Sequence, residues 1–325
     1  MCDSCSIMGR RQELTGRKRP PLPVRDGLNP SRIRLPEGGP WATTLEYLLA
    51  RFHGERVRLL EKVVAAEVVD EDGAPVDEAM PFRANAFVYL YRDPAVEPRV
   101  PFEVEVLYRD EHVLAADKPH FLSSLPNGSY IVESATVRLR RFLGLPDLSP
   151  MHRLDRITAG VLLFSVQPRE RGAYQTMFAR REVRKSYRAV ARYDPKLELP
   201  ATVRSRIIKE RGTPTAQEIP GEANSETRIA VEETRGDRAL YRVDPVTGKT
   251  HQIRIHLNSL GIPILNDPFY PRMLDISHDD YSRPLQLLAA SIAFTDPVTG
   301  EEREFTSRRT LAEWSGQVEV LGEAH

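Results

Sequence analysis

Residues 151–160 read MHRLDRITAG, and an apolar run, residues 161–166, follows them directly. The carboxylate of this stretch, Asp155, lies between two arginines, Arg153 and Arg156. Neighbouring cations favour the charged form of a carboxyl group, so the pattern indicates a nucleophile or an anchor for a charged group rather than a general acid. A surface loop with a cluster of charges has the same pattern, and it is the more frequent case for an aspartate considered alone.

The composition is typical of a soluble globular protein with one large domain or two smaller ones. The chain has 325 residues, of which 41% are hydrophobic and 28% are charged. No apolar stretch approaches the roughly 20 residues of a membrane-spanning helix, and the N-terminus has no apolar signal core. We therefore expect a cytoplasmic protein outside any membrane, and a monomer is the default expectation.

Metal binding has little support in the sequence. The two cysteines, Cys2 and Cys5, cannot form a disulfide framework. One C-x-x-C without a second Cys or His pair is a weak signal of zinc. We interpret these cysteines as incidental thiols near the terminus, and we expect no bound metal.

Positive charge is concentrated in two segments, although the formal net charge is zero. Residues 1–36 contain eight basic and three acidic residues, and residues 151–211 contain fifteen basic and six acidic ones. A positive stripe is the electrostatic footprint of phosphate binding. Because such charges are more often only solvated, the distribution supports a nucleic-acid partner without establishing it.

Prolines and apolar residues divide the chain into three segments. Residues 1–40 have many prolines and little apolar periodicity, which predicts a basic tail without packed structure. Residues 41–100 predict a small α+β domain, in which two short helices precede short strands around the turn 71–73. This layout resembles an S4-like RNA-binding domain, and a generic α+β module fits it equally well. Residues 101–325 form the third segment, which begins after a proline-containing linker.

The third segment has alternating strand and helix patterns. We expect strands at 104–108, 113–119, 160–166 and 184–191, and helices at 133–142 and 168–180. Lys185 and Tyr187 lie two positions apart in the last of these strands and therefore on one face of it. Residues 209–226 are polar and predict irregular structure.

Residues 248–257 read GKTHQIRIHL and predict a short helix. Thr250 is placed to cap this helix. Arg254 shares a polar stripe with His251 and Asn258, opposite an apolar face. A surface helix with a solvated arginine is the alternative for an arginine considered alone.

Three segments, in the same order along the chain, resemble motifs of the RluA family of RNA pseudouridine synthases. Residues 151–160 are similar to the signature H-R-L-D-x-x-T-S-G, residues 248–257 to G-R-T-H-Q-I-R-x-H-L, and the strand that ends at Lys118-Pro119 to the first motif. The resemblance extends over about residues 104–305. It implies the pseudouridine synthase fold, an α+β fold with a mixed, mainly antiparallel sheet and flanking helices.

The resemblance also implies an activity and roles for the matched residues. The family isomerises uridines of ribosomal or transfer RNA to pseudouridine, and Asp155 matches its catalytic nucleophile. Arg254 would pair with Asp155, and Tyr187 would stack on the target base and take part in proton transfer. Arg153 would fill the space of the extruded nucleotide or hold its backbone, and Lys185 would fix local structure. The charge pattern adds candidates for contact with RNA phosphates, namely Arg184, Lys185 and Arg188 with the nearby Arg180 and Arg181.

The implied reaction requires no cofactor, because it breaks the C1′–N1 bond, turns the uracil and joins C1′ to C5 without a redox change. The G-x-G-x-x-G and G-x-x-x-x-G-K-[ST] patterns are absent. The reaction requires an ionised carboxylate, which an arginine partner favours, and a flat surface such as a tyrosine ring on which the free uracil can turn. Attack on the sugar and removal of the C2′ proton both remain open, and we prefer a glycal-like intermediate.

The chain departs from the family pattern at several positions. Ala159 replaces the serine of the signature, Phe121 stands where a glycine is usual, and Asn266-Asp267 where Gly-Asp is frequent. These changes put the substrate in doubt more than the activity. Two other interpretations remain, a catalytically inactive RNA-binding protein of the same fold and an unrelated hydrolase that uses Asp155 with His152. The hydrolase has little support, since the chain contains no G-x-S-x-G and no H-E-x-x-H motif.

Overall fold

The computed structural model describes residues 20–93, 96–277 and 279–316. They form two compact units, and the boundary follows Asp93, at the start of the proline-containing linker, rather than residue 100. In the part of the chain that the structure describes, no helix is both long enough and apolar enough to cross a membrane.

The first unit is a three-stranded antiparallel sheet with two helices. Its elements are, in chain order, β1 (Ser31–Arg34), α1 (Thr44–Arg51), α2 (Arg56–Val64), β2 (Val68–Asp70) and β3 (Phe87–Leu90). The strand order is β1-β3-β2. The helix α1 begins with a capping box, in which the Glu46 N–H donates to Thr43 Oγ1 and the Thr43 N–H donates to the Glu46 carboxylate. Apolar side chains of both helices and all three strands form one core.

Part of the predicted tail is packed into this unit. The strand β1 pairs with β3, and Ile33 and Leu35 are buried in the core. The prediction that residues 1–40 lack packed structure is therefore wrong for residues 31–35, where apolar side chains alternate with arginines as in a half-buried strand. Residues 1–19, with both cysteines and five of the basic residues, lie outside the described residues. The S4-like assignment stays a prediction.

The second unit is built on an eleven-stranded sheet. Its strands are β4 (Glu105–Arg109), β5 (Val113–Lys118), β6 (Ser149–Pro150), β7 (Ala159–Ser165), β8 (Val183–Arg192), β9 (Ala201–Ile208), β10 (Gln217–Ile219), β11 (Ser225–Arg235), β12 (Arg238–Pro245), β13 (Leu287–Thr295) and β14 (Glu302–Thr306). Its helices are α3 (Ala135–Leu143), α4 (Arg171–Ala179), α5 (Gln252–Ser259) and α6 (Ala312–Ser315).

The sheet is mixed and mainly antiparallel. The strand order is β10-β9-β11-β12-β8-β13-β7-β5-β4, with β14 on β13 and β6 on β7. Among the described residues, all paired strands of this sheet are antiparallel except β7 and β13, which pair in parallel at Ala159 and Gly160. Apolar side chains from the sheet, α3 and α5 form the largest core cluster. The predicted α+β class with a mainly antiparallel sheet is confirmed.

The strands around residue 155 agree with the predicted ones, and the later strands were not predicted. Predicted strands at 104–108, 113–119, 160–166 and 184–191 correspond to β4, β5, β7 and β8. The segment 209–226, predicted to be irregular, contains β10 and the first residues of β11. These two strands pair with β9, which supplies the partner hydrogen bonds that a local pattern does not reveal.

The central strands β7, β8 and β13 bring the loop 151–158 close to Tyr187. The strand β7 starts immediately after residues 151–158, and β13 lies between β7 and β8. Gly160 has φ +113, and a Cβ there would lie 2.2 Å from the Ala289 carbonyl oxygen. Only glycine permits this approach of two backbones, which explains the glycine at the end of the motif.

Candidate active site

The predicted residues Asp155, Tyr187 and Arg254 line one cleft in the second unit, with a volume of about 500 Å³. Asp155 lies in the loop before β7, Tyr187 lies in β8, and Arg254 lies in α5. The volume is in the range of pockets that enclose a small ligand. Three side chains that are distant in the sequence are therefore brought together at the centre of the sheet.

The loop that carries Asp155 is fixed on both sides by backbone contacts. The Leu154 N–H donates to Ser124 Oγ, and this hydroxyl donates to the Leu154 carbonyl oxygen, at 3.0 and 2.8 Å. Lys118 is fully buried, and its Nζ donates to the Arg156 carbonyl oxygen at 3.1 Å as well as to two carbonyls of its own segment. The lysine of the first motif therefore ties that segment to the aspartate loop.

Phe121 stands where the RluA family usually has a glycine, and its backbone has a conformation that glycine favours. Its φ is +65, in the left-handed region. The ring is buried and packs against Phe102 and Tyr281. The left-handed turn after the first motif is thus present with a phenylalanine in it.

A single guanidinium, that of Arg254, faces two carboxylates. Arg254 Nε and Nη2 donate to Asp267 Oδ2 and Oδ1 at 2.8 and 2.6 Å, which is a bidentate pair. Arg254 Nη1 lies 3.5 Å from Asp155 Oδ2 and, among the described residues, has no hydrogen-bond partner. Asp267 therefore fixes the plane of the guanidinium and leaves one nitrogen directed to Asp155.

Burial and charge act in opposite directions on this pair. Arg254 is 1% exposed, as is the Asp267 side chain, whereas the Asp155 side chain is 21% exposed at the cleft. Burial by itself lowers the pKa of Arg254, but the hydrogen bonds and charge of Asp267 and the charge of Asp155 outweigh it and raise that pKa. The arginine remains a cation without access to water.

Tyr187 is held in the middle of the sheet. In register it pairs with Val243 of β12 and Ala289 of β13. Burial, and then the negative charge of Asp155, raise the pKa of its hydroxyl. Tyr187 is consequently a neutral phenol at neutral pH and offers the cleft a flat aromatic ring.

The four basic residues predicted to contact RNA do not share one surface. Arg153 and Lys185 line the cleft with Tyr187. Lys185 Nζ donates to the Thr247 carbonyl oxygen at 3.4 Å, and burial, then the charge of Arg181, lower its pKa. Arg184 and Arg188 are exposed on the opposite face of β8, since side chains alternate along a strand. Arg188 Nε also donates to Glu232 at 2.9 Å.

His152 is the partner of Asp155 in the hydrolase interpretation, but its ring is hydrogen-bonded to the backbone. Its Nε2 accepts from the Leu163 N–H at 3.1 Å, and its ring stacks on Phe178. Burial, and then the charge of Lys185, lower the pKa of His152 to about 3. The lone pair needed to activate water is used by the fold, so the geometry gives this interpretation no support.

The start of α5 differs from the prediction. His251, not Thr250, is the N-cap residue, with φ 57 and no capping hydrogen bond from its side chain. Gln252 Oε1 accepts from the Lys249 N–H at 3.0 Å and from Thr247 Oγ1 at 2.6 Å, which closes the turn instead. His251 and Arg254, predicted to share one face of this helix, both line the cleft. The alternative of a surface helix with a solvated arginine is wrong, because all residues from Gln252 to Leu257 are buried.

Two polar residues of the site, Asp267 and His251, were not predicted as functional. Asp267 appeared only in the dipeptide Asn266-Asp267, thirteen positions after Arg254, and no local pattern links the two. His251 was predicted to share a face of the helix with Arg254, but no role was assigned to it. A search for a carboxylate that could neutralise a buried arginine would have singled out Asp267.

Within residues 20–93, 96–277 and 279–316, no group of three or more His, Cys, Asp or Glu side chains is placed to hold a metal ion.

Comparison with known proteins agrees with this geometry. The family model described as RNA pseudouridylate synthase matches residues 112–259, which include Asp155, Tyr187 and Arg254. An uncharacterized RNA pseudouridine synthase of Synechocystis is 32% identical over 231 residues, which are 70% of this chain and 78% of that protein. The dual-specificity RNA pseudouridine synthase RluA of Vibrio cholerae is 29% identical over 62% of this chain and 80% of its own length.

A solved structure shows the same fold. Human RNA pseudouridylate synthase domain containing 4 aligns with a TM-score of 0.50 at 22% identity, over 63% of this chain and 88% of that one. The predicted pseudouridine synthase fold is therefore confirmed for the second unit. With the sequence relatives, it follows that this chain is an isomerase that belongs to the RluA family of RNA pseudouridine synthases.

Proposed function

We propose that this enzyme isomerises specific uridines of ribosomal or transfer RNA and that Asp155 is its catalytic carboxylate. The observation that supports the proposal is the arrangement at Arg254, whose Nη1 lies 3.5 Å from Asp155 Oδ2 while Asp267 holds its other two nitrogens. At that distance the guanidinium attracts the carboxylate and holds its orientation.

The reaction then assigns one task to each of three side chains. Asp155 acts on the ribose, either at C1′ or on the C2′ proton, as the C1′–N1 bond breaks. The uracil turns in the cleft, C1′ joins C5, the proton on C5 leaves and N1 gains one. Arg254 orients Asp155, and the ring of Tyr187 holds the turning base by stacking, which is worth about 1–3 kcal/mol.

The raised pKa of Tyr187 limits its part in proton transfer. To remove the C5 proton as a base, Tyr187 would have to be a phenolate. Burial and then the charge of Asp155 raise the pKa of its hydroxyl and so disfavour the phenolate. We therefore assign Tyr187 mainly to stacking. A Tyr187→Phe variant keeps the ring and should retain most of the activity if this assignment is right.

Access to the target requires a flipped nucleotide. A base inside a helix is out of reach of a cleft, and extrusion costs a few kcal/mol, less in loops and bulges. Arg153 and Lys185 line the same cleft as Asp155, which supports our assignment of both to contact with the extruded nucleotide. Arg184 and Arg188 lie on the other face of β8, and we do not assign them to this contact.

The test begins with identification of the substrate. Maps of pseudouridine in cells with and without the gene would name the RNA and the uridine. An RNA fragment that contains this site, labelled with tritium at C5 of uridine, then reports turnover by release of tritium. We expect the Asp155→Asn protein to release it at least about 10³-fold more slowly and to bind the fragment with nearly unchanged affinity.

Asp237→Asn is the matched control, because Asp237 lies in the exposed turn between β11 and β12. It should leave the rate unchanged. A near-normal rate for Asp155→Asn would refute the assignment of the carboxylate. A wild-type protein that binds RNA of several classes but releases no tritium from any would favour the catalytically inactive RNA-binding protein.

A further inference from the structure

His251 lies beside the carboxylate without a role in the steps above. Its Nε2 is 3.8 Å from Asp155 Oδ2, and its side chain is 8% exposed. The ring stacks on Phe269, with centroids 5.6 Å apart and planes inclined by 19°. Because His251 is also held in a left-handed conformation at the start of α5, the ring has a fixed position in the cleft.

A hydrogen bond to Tyr270 decides which ring nitrogen of His251 carries the proton. The Tyr270 hydroxyl lies 2.7 Å from the Ala216 carbonyl oxygen, which can only accept, so the hydroxyl proton is directed there. The Ala216 N–H donates to the same hydroxyl at 3.1 Å. The remaining contact, between His251 Nδ1 and the Tyr270 oxygen at 3.0 Å, therefore requires a proton on Nδ1.

The other nitrogen, Nε2, is consequently a hydrogen-bond acceptor that faces a carboxylate. Burial, and then the charge of Arg254, lower the pKa of His251 to about 4, so the ring stays neutral at neutral pH. Two acceptors 3.8 Å apart cannot bond to each other. The space between them is complementary to a donor that arrives with the substrate.

We infer that His251 Nε2 accepts a hydrogen bond from the 2′-hydroxyl of the flipped uridine and thereby makes the site selective for ribose. The inference rests on the proposed function, in which Asp155 acts at C1′ or C2′. An atom 3.8 Å from the reacting oxygen lies within reach of the hydroxyl on C2′. Donation to His251 also keeps this hydroxyl from bonding to Asp155, which leaves the carboxylate available for the sugar.

His251 is thus a positioning and specificity residue rather than a catalytic one. The 2′-hydroxyl is the group that distinguishes RNA from DNA, and a buried acceptor that loses its donor is left unpaired. We expect one such hydrogen bond to contribute about tenfold in affinity.

The test is a binding experiment in the Asp155→Asn protein, in which the expected loss of turnover allows equilibrium to be reached. The probes are two RNA oligonucleotides with the mapped uridine site, one with uridine and one with 2′-deoxyuridine at the target position. We expect the deoxy probe to bind about tenfold more weakly than the ribose probe. In the Asp155→Asn/His251→Asn protein, the two probes should bind equally.

Asparagine is the substitution of choice because it tolerates the left-handed conformation of His251 better than other side chains do. Tyr270→Phe, in the same Asp155→Asn background, is the second variant. It removes the acceptor that fixes the proton on Nδ1, and we expect it to reduce the discrimination partly. If His251→Asn does not fold, as judged by thermal melting, Tyr270→Phe decides.

If His251 had only a structural role, the His251→Asn substitution would lower the affinity for both probes by the same factor. Equal binding of the two probes to the Asp155→Asn protein, or an unchanged ratio in the His251→Asn and Tyr270→Phe proteins, would overturn the inference. Failure of the proposed function has a different signature, namely a near-normal rate of tritium release by Asp155→Asn in the preceding experiment.

Discussion

At the scale of single residues, the site depends on how one buried cation is shared between two carboxylates. The bidentate pair with Asp267 offsets the cost of burying the Arg254 guanidinium. The longer contact of 3.5 Å to Asp155 leaves that carboxylate accessible from the cleft. Asp267 therefore orients the arginine, and the arginine orients the proposed catalytic group.

The substitution Asp267→Asn should test whether the rate depends on the fixed orientation of the Arg254 guanidinium. An amide in place of the carboxylate accepts with one oxygen only and turns an NH₂ group toward the guanidinium, so Arg254 loses its fixed plane. Misplacement by about 1 Å can cost about 100-fold in rate, and we expect a loss of this order in single-turnover tritium release. Breaking a buried pair also destabilises a protein by about 3–5 kcal/mol, which urea unfolding should detect.

The control for this variant is again Asp237→Asn, with the same change of chemistry at an exposed position. A rate for Asp267→Asn within threefold of the wild type would show that Arg254 needs no second carboxylate.

The residues that belong to a family motif could be predicted from the sequence. The residues that orient them through tertiary contacts could not. Asp155 and Arg254 stand in recognisable motifs, whereas Asp267 meets Arg254 only through the turn after α5. His251 belongs to the same motif as Arg254, but its left-handed conformation and its contact with Tyr270 depend on tertiary structure.

At the scale of elements, the pairing of β7 with β13 determines where the aspartate loop ends. The two strands run in parallel for only two residue pairs, Ala159 with Leu288 and Gly160 with Ala289. The backbone at Gly160 approaches Ala289 so closely that a side chain has no room. A strand pattern predicts β7 from its apolar run, but it contains no information on this partner.

Gly160→Ala should therefore disturb the active site, although Gly160 lies at the contact between β7 and β13 and not in the cleft. The added Cβ would lie 2.2 Å from the Ala289 oxygen at a φ of +113, so β7 must move away from β13. We expect a loss of about 3 kcal/mol or more in the free energy of unfolding, with a lower rate of turnover because the Asp155 loop moves with the strand.

Gly172→Ala is the matched control, since Gly172 lies in α4 with nothing within 4 Å of an added Cβ. Alanine in a helix should be neutral or stabilise by up to about 1 kcal/mol. Both variants can be compared by urea unfolding. If Gly160→Ala had the same urea midpoint as Gly172→Ala, the close approach of β7 to β13 would not be needed for stability.

At the scale of the whole molecule, the sequence predicted the fold class and the central strands, and it did not predict the far half of the sheet. Apolar runs such as residues 161–166 are long enough to be recognised as strands. The strands β9 and β11 alternate exposed and buried residues and are rich in charge, so their identity depends on pairing with each other and with β12. The strands β11 and β12 form a hairpin across the turn at Gly236 and Asp237, which was not predicted. The pairing of β9 with β11 and of β8 with β12 joins segments that are distant in the sequence and has no local signature.

The second unit also contains three histidines that the fold keeps neutral. Burial is the first cause in each case, and it lowers the pKa of His152 to about 3 and that of His251 and His256 to about 4, from an ordinary value of 6.5. His256 is fully buried between Thr227 and Ser225. The pKa of His112 is instead raised by the hydrogen bond that its ring donates to the Glu170 carboxylate, so this histidine contributes to stability with the opposite sign.

These shifts predict that the second unit loses stability as the pH falls from about 6.5 toward 4. In this window the unfolded chain binds protons at the three histidines and the folded chain does not, so protonation favours unfolding. Each histidine should contribute about 1.4 kcal/mol for each pH unit. Above pH 6.5 the three histidines are neutral in both states and add no further slope, whereas the stabilising contribution of His112 is lost as the pH rises through its raised pKa.

Urea unfolding at several pH values can measure this dependence in the second unit alone, because the chain has two tryptophans and Trp314 is the one in that unit. A Trp41→Phe background makes the fluorescence specific for Trp314. In that background, His256→Gln should reduce the slope of stability against pH by the contribution of one proton, since glutamine can bond to the same hydroxyls without titrating. An unchanged slope would mean that His256 is already charged in the folded protein, which its environment of hydroxyl groups and apolar side chains makes unfavourable.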